Sequence, residues 1–183
     1  MDPLSAAEKK TLLGLARSAI ERYLEDGSKV PLPETTPALR ERCGAFVTLH
    51  EGGELRGCIG NMVGRGPLVE TVREMAIAAA TQDPRFPKVS QGEMREIDIE
   101  ISVLSPMTRI KDVSEIEVGK HGILMRRGMN QGVLLPQVAT EWGWGREEFL
   151  RHTCLKASLP AEAWKDRETS IEIFSAQVFG EKR

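Results

Sequence analysis

The chain has 183 residues, 40% of them hydrophobic and 28% charged, a balance that excludes a disordered or fibrous chain and suits one domain, or one domain built of two lobes. Lys and Arg number 25 against 27 Asp and Glu, a net charge of −2, which argues against a dedicated nucleic-acid binder. Aromatic residues are only 5% of the chain, too few for a stacking platform for single strands.

In chain order, Ser5 and Glu8 have capping-box spacing at the start of a long helix. Leu12, Ala16, Ala19, Ile20 and Tyr23 form its apolar stripe, and Gly27 ends it. Residues 28–40, with Pro31, Pro33 and Pro37, read as an ordered connector. A hairpin follows, with strands 46–50 and 55–59 around the Gly52-Gly53 turn. A two-residue turn predicts Val47 opposite Cys58 and Leu49 opposite Arg56, so these four share a face. Phe46, Thr48, His50, Leu55 and Ile59 then form the other face, read as the core side.

A glycine-rich loop, Gly60 to Gly66, leads through Pro67 into a second helix carrying Leu68, Val72, Met75, Ala76 and Ala79 on one stripe. Its alanines allow close approach to a sheet, and Asp83-Pro84-Arg85-Phe86-Pro87 stops it. Ser90 and Glu93 have capping spacing for a turn or two of helix. Ile97, Ile99, Ile101 and Val103 alternate with polar residues as a strand with one buried face. A second hairpin is expected at 122–125 and 132–135, then short helices over 136–142 and 146–157. The last strand runs from Ile171 to Val178, with a bulge where the alternation slips. Helices and strands do not alternate as a doubly wound fold requires, so the class is α+β.

The N-terminus lacks a cationic and apolar leader, and no apolar run approaches the ~20 residues of a membrane span. The expectation is a cytoplasmic protein that does not enter a membrane. Cys43, Cys58 and Cys154 are odd in number and contain no C-x-x-C, which points to reduced thiols rather than a disulfide framework or a zinc ribbon. Three histidines, none at helical spacing from another, give no support for a metal site.

The densest chemistry lies between Arg56 and Pro67. A strand, a loop with Gly57, Gly60, Gly64 and Gly66, and a helix start together suggest an anion cradle, with Arg56 and Arg65 beside it. The sparer reading is that these glycines serve a tight turn and close packing. Cys58 is the candidate nucleophile, since a cation and a helix N-terminus activate a thiol, and its alternative is a small buried hydrophobe. His50 falls on the other face in this register, leaving His121 or His152 as its base. Asp98 and Glu100 share a strand face, which serves acid–base work or simply faces solvent. Lys120, His121, Arg126 and Arg127 form a basic patch, read equally well as a protected strand edge. Trp142-Gly143-Trp144 reads as a core anchor.

Leu55-Arg56-Gly57-Cys58-Ile59-Gly60, after Phe46-Val47-Thr48-Leu49, resembles the signature of the AMMECR family, whose prokaryotic members are called protein A of the AmmeMemoRadiSam system. Asp83-Pro84-Arg85-Phe86, Ile101 to Pro106, His121-Gly122, Gly132 to Val138, Phe149-Leu150 and Cys154 to Ala157 resemble it in the same order, across nearly the whole chain. Leu159 departs from that pattern, where a glycine is expected. The resemblance implies a single domain over 1–183 in two unequal lobes, with mixed or antiparallel sheets flanked by helices and a cleft between them. It implies company as well: a Memo-like protein and a radical-SAM protein. The family motifs add Asp83, Arg85 and His121 to the candidate ligand residues Arg56, Gly57, Gly60, Gly64, Arg65 and Gly66. The resemblance names no reaction and no cofactor. The leading expectation is a protein binding a small anionic ligand or modified macromolecule in the cleft, with Cys58 as a thiol nucleophile. Its rival is a non-catalytic adaptor whose cleft accepts a partner's peptide or loop.

Overall fold

The computed structural model of the chain describes residues 2–181. These fall into two compact units: Ser105–Ala176 is the second, and the described residues on either side of it form the first. In the first unit, helix α1 (Ala6–Asp26) opens with the expected capping box, Ser5 and Glu8 bonding each other's backbone N–H, and closes at Gly27, φ 76°. Leu12, Leu15, Ala16, Ala19 and Ile20 form its buried stripe. The connector stays irregular except for one turn, α2 (Pro37–Arg40), capped by Thr36.

Strands β1 (Ala45–Glu51), β2 (Glu54–Asn61) and β3 (Ile97–Leu104) make an antiparallel sheet with β1 between the other two. Strand β7 (Ser170–Gly180) lies next to β3, and its closing residues from Gln177 belong to this unit. Helices α1 and α3 (Leu68–Thr81) cover the face bearing Val47, Leu49, Ile97, Ile99, Ile101 and Val103, all buried. Helix α3 comes so close to β2 that a Cβ on Gly57 would stand 2.3 Å from the Ala79 carbonyl oxygen. Its small residues Ala76, Ala79 and Ala80 permit that approach, as the sequence predicts.

The hairpin departs from expectation in register and in face. Next to the Gly52-Gly53 turn, where both φ are positive (59° and 85°), pairing follows the two-residue rule: Glu51 faces Glu54 and His50 faces Leu55. The next pair is Leu49 with Gly57, so Arg56 is one residue too many, a β-bulge. Beyond it every partner slips by one: Thr48 faces Cys58 and Val47 faces Ile59. The buried side is that of Ala45, Val47 and Leu49, because α1 and α3 lie there; Phe46, Thr48 and His50 are half-buried on the other. Gly60 sits inside β2 rather than in the following loop.

In the second unit, β4 (Thr108–Arg109), the first part of β7, β5 (His121–Arg127) and β6 (Asn130–Leu134) are neighbours in that order, all antiparallel. Helices α4 (Pro136–Glu141) and α5 (Arg146–Lys156) accompany them. Ile116, Ile123, Met125, Phe149, Leu150 and Cys154 are central to the core. The β5–β7 register runs unbroken from Ser170 to Ser175, so the expected bulge is absent there. Phe174 instead lies across Gly122, on the opposite face from Ile171 and Ile173. Of the two tryptophans read as a core anchor, only Trp144 packs against the core; Trp142 is 71% exposed. After α5, Ser158 takes the left-handed conformation at φ 57°, and Leu159 is buried in the core. The fold class is α+β, as expected from the sequence.

Candidate functional site

Strand β2 is an edge strand, and its outer rim carries the signature residues. Cys58 points its N–H away from β1 to the Asp83 carboxylate, Oδ2, at 2.8 Å. Cys58 and Thr48 are therefore a non-hydrogen-bonded pair, the class whose side chains come closest. Thr48 Oγ1 and Cys58 Sγ lie 3.2 Å apart, and either can donate.

Asp83 follows α3 in the segment that stops the helix. Its carboxylate, 5% exposed, accepts four hydrogen bonds: from Cys58 N–H, from Arg85 N–H at 3.1 Å, and from Arg85 Nε and Nη2 at 3.0 and 2.8 Å. The Arg85 guanidinium holds the Asp83 carboxyl well below the usual carboxylate range; burial opposes this, and the two backbone N–H groups reinforce it. Asp83 in turn raises the pKa of Arg85 through its hydrogen bonds and charge, with burial opposing it and a smaller electrostatic contribution from Cys58 when ionised. The Arg85 side chain is 55% exposed. Its Nη1 has no hydrogen bond among the described residues, and its guanidinium lies 5.4 Å from the Phe86 ring centroid.

The register around β1 brings further groups onto this face. Thr48 stands between Cys58 on β2 and Glu100 on β3. His50 stands opposite Asp98 in the neighbouring row, and Phe46 opposite Ser102. Asp98 and Glu100 do share a face, as the alternation predicts, and it is the face of Cys58. His50, which the expected register placed away from Cys58, is on its side after all. Thr48 went unnoticed in the sequence because only the bulged register pairs it with Cys58. Among the described residues no group of three or more His, Cys, Asp and Glu is arranged to hold a metal ion.

The other candidates serve different ends. Arg56, the bulged residue, is only 12% exposed. It donates to Glu93 Oε1 through Nε and Nη2 at 3.0 and 2.8 Å, and to the Pro87 and Lys88 carbonyls at 2.9 and 3.5 Å. Its guanidinium thus staples residues 87–93 to β2, with its donors engaged inside the chain. Gly57 and Gly60 admit α3 and the Phe46 ring, and a Cβ on Gly64 would collide with the Cys43 backbone. Gly66 faces the Glu70 carboxylate.

At the start of α3, where the sequence suggests an anion cradle, the surroundings are unfavourable to an anion. The Leu68 N–H is taken by the Glu41 carbonyl at 2.9 Å. Arg65 shares its cavity of about 390 Å³ with Glu70 and Glu74, which repel an anion. His121 is in the second unit, where Nδ1 accepts the Glu117 N–H at 3.1 Å. The basic patch there is largely neutralised, Lys120 by Glu117, Arg126 by Glu172 and Arg127 by Asp166. His152, the other base considered, stacks on Trp144 at 3.9 Å between ring centroids.

Three cysteines thus have three environments. Cys43 and Cys154 are buried, and burial is the largest influence pushing both thiols up. Cys58 alone is partly exposed. No helix among the described residues is long and apolar enough to cross a membrane.

The AMMECR1 family model matches residues 13–179. A protein of Methanothermobacter thermautotrophicus is 47% identical over 186 residues, covering 98% of this chain and 97% of its own length. Protein MK0488 of Methanopyrus kandleri is 47% identical over 190 residues, covering 99% and 92%. The crystal structure of the uncharacterized protein PH0010 from Pyrococcus horikoshii superposes with a TM-score of 0.86 at 43% identity, over 93% of this chain and 90% of that one. With the signature residues, the fold and these relatives in agreement, the chain belongs to the AMMECR1 family.

Proposed function

We propose that the protein presents Cys58 as a reactive thiol to a small anionic or electrophilic ligand, as the cytoplasmic component of a system with a Memo-like and a radical-SAM protein. The observation that carries this reading is the contrast among the thiols: Cys58 is the one not buried. Its surroundings suit the task. Thr48 orients the sulfur, and Arg85, anchored along one edge by Asp83, keeps Nη1 for an anionic group of the ligand. His50 shares the sheet face of Thr48 and Cys58, beyond the bulge. Attack by the sulfur on an activated acyl carbon of the ligand then forms a thioester on Cys58 as the bond from that carbon to its leaving group breaks, the leaving group departing with the bonding pair and taking up the thiol proton.

The test is alkylation of the native protein with iodoacetamide, followed by peptide mass spectrometry. Cys58 is expected to label first, with Cys43 and Cys154 protected until the fold is lost. Cys58→Ser is expected to abolish the early label and leave the melting temperature nearly unchanged. A Cys58 that labels only on unfolding, with a destabilised serine variant, would make the residue structural and favour the adaptor. Co-purification with the Memo-like and radical-SAM proteins, repeated with Arg85→Glu, tests the partners. Recovery of neither at any salt concentration would remove the system from the proposal.

A further inference from the structure

A second cavity, of about 630 Å³, is built entirely from residues 109–171 in the second unit and shares no residue with the Cys58 cluster. Its wall carries Arg109, Lys111, Lys165 and Arg167 together with Trp164 and Thr169. The acidic groups already have partners, both Asp166, which is itself on the wall, and Glu162 and Glu172 beside it, the last standing opposite Arg109 and paired with Arg126. Asp166 takes Arg127 Nη1 at 3.1 Å, and Glu162 takes Lys165 Nζ at 2.6 Å. Arg109, Lys111 and Arg167 have no acidic partner among the described residues, which leaves the concavity strongly positive. Isolated surface cations signify little, but cations lining one low-dielectric concavity focus the field on what enters it.

The wall supplies a second, independent feature. Trp164 Nε1 and Thr169 Oγ1 are fully enclosed and have no hydrogen-bond partner among the described residues. Thr169 is only 8% exposed. A buried donor without an acceptor is costly, and most such groups in folded proteins are satisfied. Both belong to residues that line the positive cavity, but the two atoms are closed off from it in the free protein, so a shift of the wall is needed to bring them to a ligand. Indole N–H and hydroxyl donors beside guanidinium groups form a complement for an oxyanion with several acceptor oxygens.

We propose that this cavity binds a small phosphorylated ligand, with Arg109, Lys111 and Arg167 holding the phosphate and a shift of the wall turning the Thr169 hydroxyl, which has no partner in the free protein, toward its oxygens. A phosphate group brings a charge near −2 and three strong acceptors, which matches unpaired cations better than a single carboxylate does. Arginine forks fit phosphate oxygens in pairs. Ile110 and Ile171 line the same cavity and give the organic part of the ligand an apolar surface. The volume is within the ~300–1,000 Å³ of small-molecule sites.

Isothermal titration of the whole chain with inorganic pyrophosphate, in physiological chloride, tests the proposal. Saturable binding at one site per chain is expected. Arg109→Ala and Arg167→Ala are each expected to weaken it about tenfold, the scale of a charged hydrogen bond. Thr169→Val is expected to weaken it without lowering the melting temperature, because the hydroxyl has no partner to lose in the free protein. The proposal is overturned if no saturable heat appears, or if sulfate at matched ionic strength reproduces it, meaning an adventitious ion only. It is equally overturned if Arg109→Glu with Arg167→Glu binds as the parent does. None of these results touches the alkylation test of Cys58, so the two readings fail separately.

Discussion

Replacing Asp83 tests the geometry on which the Cys58 environment depends. The carboxylate is buried and joins two backbone N–H groups, those of Cys58 and Arg85, to the Arg85 guanidinium. A hydrogen bond to a charged group contributes ~1.5–3 kcal/mol. The two from Arg85 must be discounted, because that side chain is 55% exposed and solvent screens it. The two from backbone groups largely remain, so Asp83→Ala is expected to destabilise by ~3 kcal/mol, or roughly 6–12 °C in melting temperature for a chain of this size. Asp83→Asn keeps one acceptor oxygen and should lose less. The acid limb follows from the same contacts. The folded-state carboxyl titrates below its unfolded value of ~3.9, so its stabilisation is complete above that pH and drains away as the pH falls below it. As the pH falls below ~3.9 the parent should therefore progressively lose stability that Asp83→Ala has already lost, and the two melting temperatures should draw together. Hydrogen exchange supplies the local readout: the Cys58 amide should exchange faster in the alanine variant. An unchanged melting temperature, or a Cys58 amide still protected, would show that the carboxylate does not anchor β2.

Two further substitutions probe the scaffold by thermal melting. Gly57→Ala places a Cβ 2.3 Å from the Ala79 carbonyl oxygen and should destabilise by ~1–3 kcal/mol as an overpacked site, whereas Gly14→Ala in α1, which meets nothing within 4 Å, should stabilise by ~0.5–1 kcal/mol. Ser158→Gly should stabilise by up to ~1 kcal/mol, because it relieves a left-handed residue at φ 57°; a loss would show that the hydroxyl compensates for the strain.

Elements governed by local chemistry were legible in the sequence. The capping box at Ser5 and Glu8, the Gly52-Gly53 turn, the alternating β3 and the helix stop at Asp83 each follow from residues adjacent in the chain. The site was less legible because it depends on one residue that local rules do not count. The turn correctly pairs His50 with Leu55, but the bulge at Arg56 shifts every later pair, and a one-residue slip turns a strand's side chains over. Thr48 and His50 therefore join Cys58 for a reason that alternation alone cannot show. What holds the bulge is a contact distant in sequence, the bonds from Arg56 to Glu93 and to the carbonyls of Pro87 and Lys88. Likewise, the loop after β2 reads as an anion cradle until Glu41, Glu70 and Glu74, none of them part of the motif, are seen to occupy or repel that role.

The bulge also explains why three neighbouring signature residues do unrelated work. Arg56, displaced from the ladder, turns its side chain to the 87–93 segment and fixes it. Gly57 lies under α3, where any larger residue would push the helix off the sheet. Cys58 is then presented with its N–H toward Asp83 and its sulfur toward Thr48. The first two roles are met by packing and hydrogen bonds inside the chain. Cys58 differs. Its backbone forms the anchoring bond, which any residue but proline can supply, and the hydrogen-bonding contact of its side chain is with Thr48. Serine would preserve both. Packing and internal hydrogen bonds thus account for Arg56 and Gly57, whereas the reactivity proposed for Cys58 rests on its partial exposure and is decided by whether it labels before the fold is lost.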